Sequence, residues 1–298
     1  MLNNKIYDVA VIGAGPSGLT AAIYAKRAGL NVLMFEKSMP GGILQKIASI
    51  KNYPGYEEIS GVDLSMQLLK QVENLQVPIK YEEVTKLEIL NDCKKVITPK
   101  GEYTAKNVII ATGRKPKYLG LDKEQELLGR GISTCATCDG FLYKGTDVAV
   151  VGSGNSALSE ALYLSNLANK VYLLHRGREF KGEEELVNKV MSVPNIEIVY
   201  GVNIKTFNEE NGKIQSVVLD NDRVLNVSGV FIYIGYKPDT EIFNELNITN
   251  INGDIIVDEV CMTEIDGVYA VGDCIKKGVY QLVTAAAEGA IAVSDIDK

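Results

Sequence analysis

The 298-residue sequence predicts an α/β fold, and three observations carry that reading. First, a sixteen-residue segment occurs twice. Val9 to Tyr24 reads Val-Ala-Val-Ile-Gly-Ala-Gly-Pro-Ser-Gly-Leu-Thr-Ala-Ala-Ile-Tyr, and Val148 to Tyr163 keeps nine of those sixteen residues at an offset of 139. Second, each copy is an apolar run, a glycine turn and a small-residue helix pattern, followed by another apolar run, Asn31–Glu36 or Lys170–His175. That order is a βαβ unit. Third, apolar runs at Asn107–Ala111, Val230–Ile234 and Gly267–Val271 close on small or polar residues, as strands buried on both faces do.

Two such units predict two Rossmann-like nucleotide-binding domains, the second inserted into the first. The length agrees, since one core is hard to extend over so long a chain. Segments bearing Pro and Lys, at Arg114–Lys117 and Tyr236–Asp239, read as linkers. Residues 1–115 and 241–298 are therefore expected to form one domain and residues 116–240 the other, with a helix from Leu282 onward completing the first.

Composition narrows the function. Apolar residues make up 46% and charged residues 23%, ordinary for a globular protein. The 38 acidic side chains outnumber the 31 basic ones, which argues against nucleic acid or an anionic membrane as partner. The apolar start, Val9 to Ile12, runs into glycines without a signal-like cleavage region, and no stretch approaches the length of a membrane span. A cytoplasmic protein is expected. Three of five cysteines, Cys93, Cys261 and Cys274, are isolated, unlike a secreted disulfide framework. His175 is the sole histidine, so no metal site is expected and proton transfer falls to a carboxylate or water.

Gly13, Gly15 and Gly18, with Pro16 opening the helix, allow a tight turn and close approach of a pyrophosphate to the helix N-terminus. Glu36 lies 23 residues beyond Gly13, where a carboxylate accepts from a ribose 2′-hydroxyl and repels a 2′-phosphate. The second turn carries Gly152, Gly154, Asn155, Ser156 and Ala157, and has His175-Arg176 where the first has Glu36-Lys37. Arg176, Arg178 and Lys181 could neutralise a 2′-phosphate, so this turn suggests NADP. The competing reading is a vestigial turn whose basic residues are solvated surface.

Cys135-Ala-Thr-Cys138 stands at a helix start, where amide groups favour a thiolate and the pair can form an exchangeable disulfide. Half a zinc site has the same spacing, but the sequence offers no second paired motif. Asp139 is the nearest acid for the thiol chemistry. Cys274, beside Asp273, reads as a packed small residue.

With these pieces the sequence resembles the low-molecular-weight thioredoxin reductases nearly end to end. The matching text includes Gly13-x-Gly-x-x-Gly18, Pro40-Gly-Gly42, Asn52-Tyr-Pro-Gly55, Ala111-Thr-Gly113, Gly129 to Gly140 around the cysteines, Gly272-Asp273 and Gln281-Leu-Val-Thr-Ala285. The resemblance implies FAD, held by Gly13, Gly15, Pro16, Gly18, Glu36, Lys37, Gly41, Gly42, Asn52, Val84, Thr112, Gly113, Asp273, Gln281 and Leu282. It implies a homodimer, a domain rotation that alternates the dithiol between flavin and thioredoxin, Cys138 as the flavin-facing sulfur and Cys135 as the attacker of the thioredoxin disulfide. Asp139 is then the acid, and Arg130 helps dock thioredoxin.

The departures cluster at the second turn. The family reads Gly-Gly-Gly-x-x-Ala with a Glu-Glu pair; here stand Ser153 and Ser159-Glu160. Its clamp reads His-Arg-Arg with a further Arg; here stand Gly177 and Lys181, which lose two guanidinium forks. Tyr280 replaces the usual Arg before Gln281, and Ile43 the usual Gln after Gly42. The ferredoxin-dependent flavin thioredoxin reductases keep the fold and dithiol without NADPH recognition. The degraded clamp favours reduced ferredoxin as donor, with NADPH as the alternative. A ferredoxin–NADP reductase would not need the dithiol, and a redox-sensing module would not need Asp139.

Overall fold

The computed structural model describes residues 5–47 and 49–298. They divide into two compact units, one made of the residues up to Lys115 with Lys237–Lys298, the other of Pro116–Tyr236. The first unit begins β1 (Ile6–Ile12), α1 (Pro16–Arg27), β2 (Val32–Phe35), α2 (Gly61–Asn74), β3 (Ile79–Lys80), β4 (Lys86–Ile89), β5 (Lys94–Thr98) and β6 (Gly101–Ile110). Its sheet runs β3-β2-β1-β6-β5-β4. The β3, β2, β1 and β6 strands are parallel, whereas β5 and β4 return as an antiparallel meander. Along β1, Val9 and Val11 enter the core on the helix side, Ala10 and Ile12 the core on the other. Burial on both faces explains why this strand reads as an unbroken apolar run.

The chain leaves through β7 (Arg114–Pro116). The second unit contains β8 (Ile132–Ser133), α3 (Ala136–Asp139), β9 (Asp147–Gly152), α4 (Asn155–Ser165), β10 (Lys170–His175), α5 (Glu184–Ser192), β11 (Ile196–Tyr200), β12 (Ile204–Glu210), β13 (Lys213–Leu219), β14 (Val224–Asn226) and β15 (Gly229–Tyr233). A parallel sheet runs β11-β10-β9-β15-β8, and β12-β13-β14 form a separate antiparallel sheet. The chain returns through β16 (Tyr236–Pro238), then adds β17 (Val268–Ala270), parallel to β6, and α6 (Leu282–Ile296), which packs on α1.

The return crossing falls at 236/237 because the next residues bond into the first unit. Asp239 meets Lys37 at 2.8 Å and Lys115 at 3.0 Å, and Thr240 donates to the Gly253 carbonyl. The expected Asn107–Ala111 strand is the end of a longer β6, whose earlier half pairs with β5 and alternates in burial. Among the described residues no helix is long and apolar enough to cross a membrane.

Candidate active site

Cys135 and Cys138 are joined in a disulfide in the second unit. Cys135 caps α3: its Sγ accepts the Cys138 amide at 3.2 Å and lies 3.4 Å from the Thr137 hydroxyl. Two earlier amides of the turn are also used. Cys135 N–H donates to the Ser133 hydroxyl at 3.0 Å, and Ala136 N–H to the Tyr233 hydroxyl at 2.7 Å. The Ser133 hydroxyl in turn donates to an Asp139 carboxylate oxygen at 2.6 Å. Thus β8 and β15, neighbours in the sheet, each supply one group that fixes the dithiol turn. Cys135 is 6% exposed while Cys138 is open, and Phe141 and Leu142, directly after, are exposed by 72% and 73%. That exposed apolar pair was not singled out in the sequence, because one spacing of two bulky residues carries no periodic signal. Arg130 is exposed.

Glu160, on α4, has one carboxylate oxygen buried with no hydrogen-bond partner among the described residues, and burial pushes its carboxyl up to about 7. The same charge, after desolvation, raises the Tyr233 and Tyr236 phenols.

In the first unit the candidate residues gather at the carboxyl ends of β2, β1, β6 and β17, where connections diverge to either side of β1, the usual crevice of such sheets. Gly13, with φ of 106°, and Gly18 pack against Ala111 and each other so tightly that a Cβ at either would overlap backbone oxygen. Gly41 N–H donates to the Ala14 carbonyl at 2.7 Å, and a Cβ on Gly42 would lie 3.4 Å from Gly15 Cα. Glu36, 8% exposed, accepts from Ala14 N–H and Ser38 N–H, each at 2.8 Å, so its carboxylate is held rigidly beside the turn. Asn52 and Gln281 are joined by a 3.1 Å hydrogen bond. The Thr112 hydroxyl is buried with no hydrogen-bond partner among the described residues. Bare backbone, a braced carboxylate and an orphaned hydroxyl fit an adenine dinucleotide.

Other candidates take different positions. Lys37 is committed to Asp239, and the Val84 side chain is core, leaving only its backbone to meet a ligand. Leu282 packs against the small core cluster of Leu44, Ile50, Ile59 and Leu64. Cys274 is buried, its thiol donating to the Val271 carbonyl at 3.2 Å and pushed by burial up to about 11, which agrees with a packing role.

At the second turn, Gly152 lies against the Tyr233 carbonyl and Ala157 is fully buried, while Gly154 and Ser156 border open space or solvent. The Asn155 side chain bonds Glu183 twice, at 2.7 and 2.8 Å, and Lys181 N–H donates to the Ser153 carbonyl, so the basic loop is tied to the turn. Arg176, Arg178 and Lys181 are exposed and form no ion pair among the described residues. His175 corrects the expectation of a ligand-facing group. It is 4% exposed, its Nδ1 accepts from Gly177 N–H, its Nε2 lies 2.6 Å from the Glu179 carbonyl, and it stacks on Phe180. A Cβ at Gly177 would sit 3.0 Å from the His175 ring, so the loop closes on His175 with little room for a side chain at position 177.

Two glycine-turn βαβ units with a disulfide at a helix start define a two-nucleotide disulfide oxidoreductase. The family pattern for pyridine nucleotide-disulphide oxidoreductases matches residues 7–290. The chain is 37% identical over 301 residues to the thioredoxin reductase of Bacillus subtilis, covering 99% of this chain and 95% of that one. It superposes on Lactococcus lactis thioredoxin reductase with a TM-score of 0.88 at 38% identity, covering 97% of each chain. A ferredoxin-flavin thioredoxin reductase from Clostridium acetobutylicum matches with a TM-score of 0.54 at 33% identity, covering 98% of this chain and 96% of that one. The chain belongs to the low-molecular-weight thioredoxin reductase family.

Proposed function

We propose that the chain is an FAD-dependent thioredoxin-disulfide reductase that draws its electrons from NADPH. The observation that carries the first part is the Cys135–Cys138 disulfide at the start of α3, with Asp139 braced by Ser133 beside it. The first glycine turn, Glu36 and Thr112 would hold FAD, which would supply the two-electron chemistry that reduces the disulfide.

Once reduced, Cys135 is the sulfur best suited to act as thiolate, since the Cys138 amide and the Thr137 hydroxyl already point at it. Its assignment as attacker rests on those contacts and not on access, because Cys138 is the more exposed. The Cys135 thiolate attacks one sulfur of the thioredoxin disulfide, forming a mixed disulfide and releasing a thiolate on the partner. Cys138 then attacks Cys135, restoring the intramolecular disulfide and freeing the second partner thiolate. Asp139 manages the proton of Cys138 and of the departing sulfur. A Cys138→Ser protein should trap the mixed disulfide through Cys135; trapping through Cys138 in Cys135→Ser instead would reverse the roles.

For the donor, the degraded clamp taken alone favours ferredoxin. Support for NADPH comes from Arg176, Arg178 and Lys181, exposed cations on a loop hydrogen-bonded to the second glycine turn, and from a family pattern named for pyridine nucleotides that spans this unit. The reading of reduced ferredoxin retains one specific support, the closure of Gly177 on His175. Anaerobic stopped-flow mixing decides: saturable bleaching of the flavin by NADPH is expected, and bleaching by reduced ferredoxin alone would select the second donor.

A further inference from the structure

We propose that Arg114 and Lys277, gathered on the ring of Tyr280, are positioning residues that hold the Gly272–Asp273 turn in shape to receive FAD, an inference that rests on the FAD reading above. Tyr280 is the position where the family places an arginine. In this chain two cations from elsewhere converge on its ring: the Arg114 guanidinium lies 4.5 Å and the Lys277 ammonium 5.5 Å from the centroid. The hydroxyl is engaged too, accepting from Arg114 at 3.3 Å and donating to the Ile275 carbonyl at 3.3 Å.

Both cations then grip the same turn. Arg114 Nε donates to the Asp273 carbonyl at 3.0 Å while its Nη2 is anchored on the buried Asp254 carboxylate at 2.6 Å. Lys277, 9% exposed, lies 3.3 Å from the Asp273 carboxylate and bonds both oxygens of Glu288, at 3.0 and 3.1 Å. Glu288, on α6, closes the ring of contacts by accepting the Gly272 amide at 2.8 Å. Asp273 is thereby fixed through its carbonyl and its carboxylate, and its neighbour through its amide. A neutral Tyr at position 280 leaves the local charge to be supplied by Arg114 and Lys277, and the aromatic face is attractive to both. Without the assembly the turn would lose charge-assisted bonds on two sides, and the Asp273 carboxylate would no longer be presented in one orientation.

The test is FAD titration of apoprotein prepared from the full chain, read by quenching of flavin fluorescence and checked by thermal unfolding of the apo form. Arg114→Leu, which loses charge-assisted hydrogen bonds, and Tyr280→Leu, which loses the aromatic face beneath both cations, should each weaken FAD binding about tenfold. Tyr280→Phe keeps the ring and should stay within about twofold of wild type. The double Arg114→Leu/Tyr280→Leu variant should bind about as well as the weaker single, because both act through one assembly. Should Arg114→Leu fail to fold, Arg114→Lys, which keeps the charge and loses the fork, still decides: weakened binding supports the assignment and unchanged binding overturns it. Leucine variants that hold FAD as tightly as wild type, or losses that multiply in the double variant, overturn this inference alone. A folded wild-type protein that binds no FAD overturns the functional reading and this inference with it.

Discussion

The hydroxyl of Ser133 donates to the carboxylate of Asp139 across 2.6 Å, and the same oxygen receives the Cys135 amide. One small side chain thus connects the acid to the backbone of the dithiol turn. Ser133→Ala leaves Asp139 free to rotate and should lower kcat for thioredoxin reduction by about tenfold, with KM little changed, whereas Asp139→Asn should lower it by about a hundredfold or more. Steady-state kinetics of the two variants separate the roles, since Ser133→Ala keeps the carboxyl and Asp139→Asn does not. Equal losses in both variants would remove the proton role from Asp139.

Glu160 gives a prediction about stability and pH. Its carboxyl is raised by burial from 4.5 to about 7, so the folded protein binds a proton there that the unfolded chain releases. Stability from this group is therefore full below about pH 4.5 and is lost as pH rises through about 7. Glu160→Gln, neutral throughout, should be more stable than wild type at pH 8 by on the order of 1 kcal/mol, allowing for partial exposure, and should converge with it near pH 5. Paired thermal melts at the two pH values test this, and a constant difference would assign the effect to packing.

The basic loop gives a prediction about salt. Arg176, Arg178 and Lys181 are solvent-facing and unpaired among the described residues, so their attraction for a 2′-phosphate is screened by ions. Each Ala substitution should raise KM for NADPH about three- to tenfold with kcat nearly constant, and the wild-type KM should climb steeply between low and physiological salt. Loss of any preference for NADPH over NADH in the triple variant completes the test. Unchanged KM values would leave the loop as plain surface.

Phe141 and Leu142 expose apolar surface next to the disulfide, an arrangement suited to a protein partner's contact surface. Phe141→Ser with Leu142→Ser should raise KM for thioredoxin about tenfold or more while leaving reduction of a small aromatic disulfide near wild type. Equal losses on both substrates would point to a damaged dithiol turn instead.

Much of this molecule was legible in the chain. The repeat at an offset of 139 exposed both βαβ units because a glycine turn between a buried strand and a helix tolerates few residue types. Lys170–His175 was read to the residue, since the apolar run Val171–Leu174 is bracketed by Lys170 and His175. The β12-β13-β14 sheet was not seen: its strands alternate Ile, Phe and Val with Lys, Glu and Asn, and neither glycine spacing nor a continuous apolar run marks them. The site was legible where one motif holds the chemistry, at Cys135 and Cys138. It was hidden where distant residues converge, as when Tyr233 supplies the acceptor for Ala136, 97 residues away. The buried role of His175 was hidden for a related reason, because a histidine at a strand end reads alike whether it faces a ligand or its own loop.

The late arrival of β17 and α6 sets an order on biosynthesis. A nascent chain that has reached residue 267 carries every strand of the inserted unit, yet lacks Gly272, Asp273, Gln281 and Glu288. The unit bearing the cysteines can therefore become compact before the nucleotide crevice of the other unit is complete. Stalling translation at that point should release a chain whose inserted unit already resists proteolysis but which stays colourless.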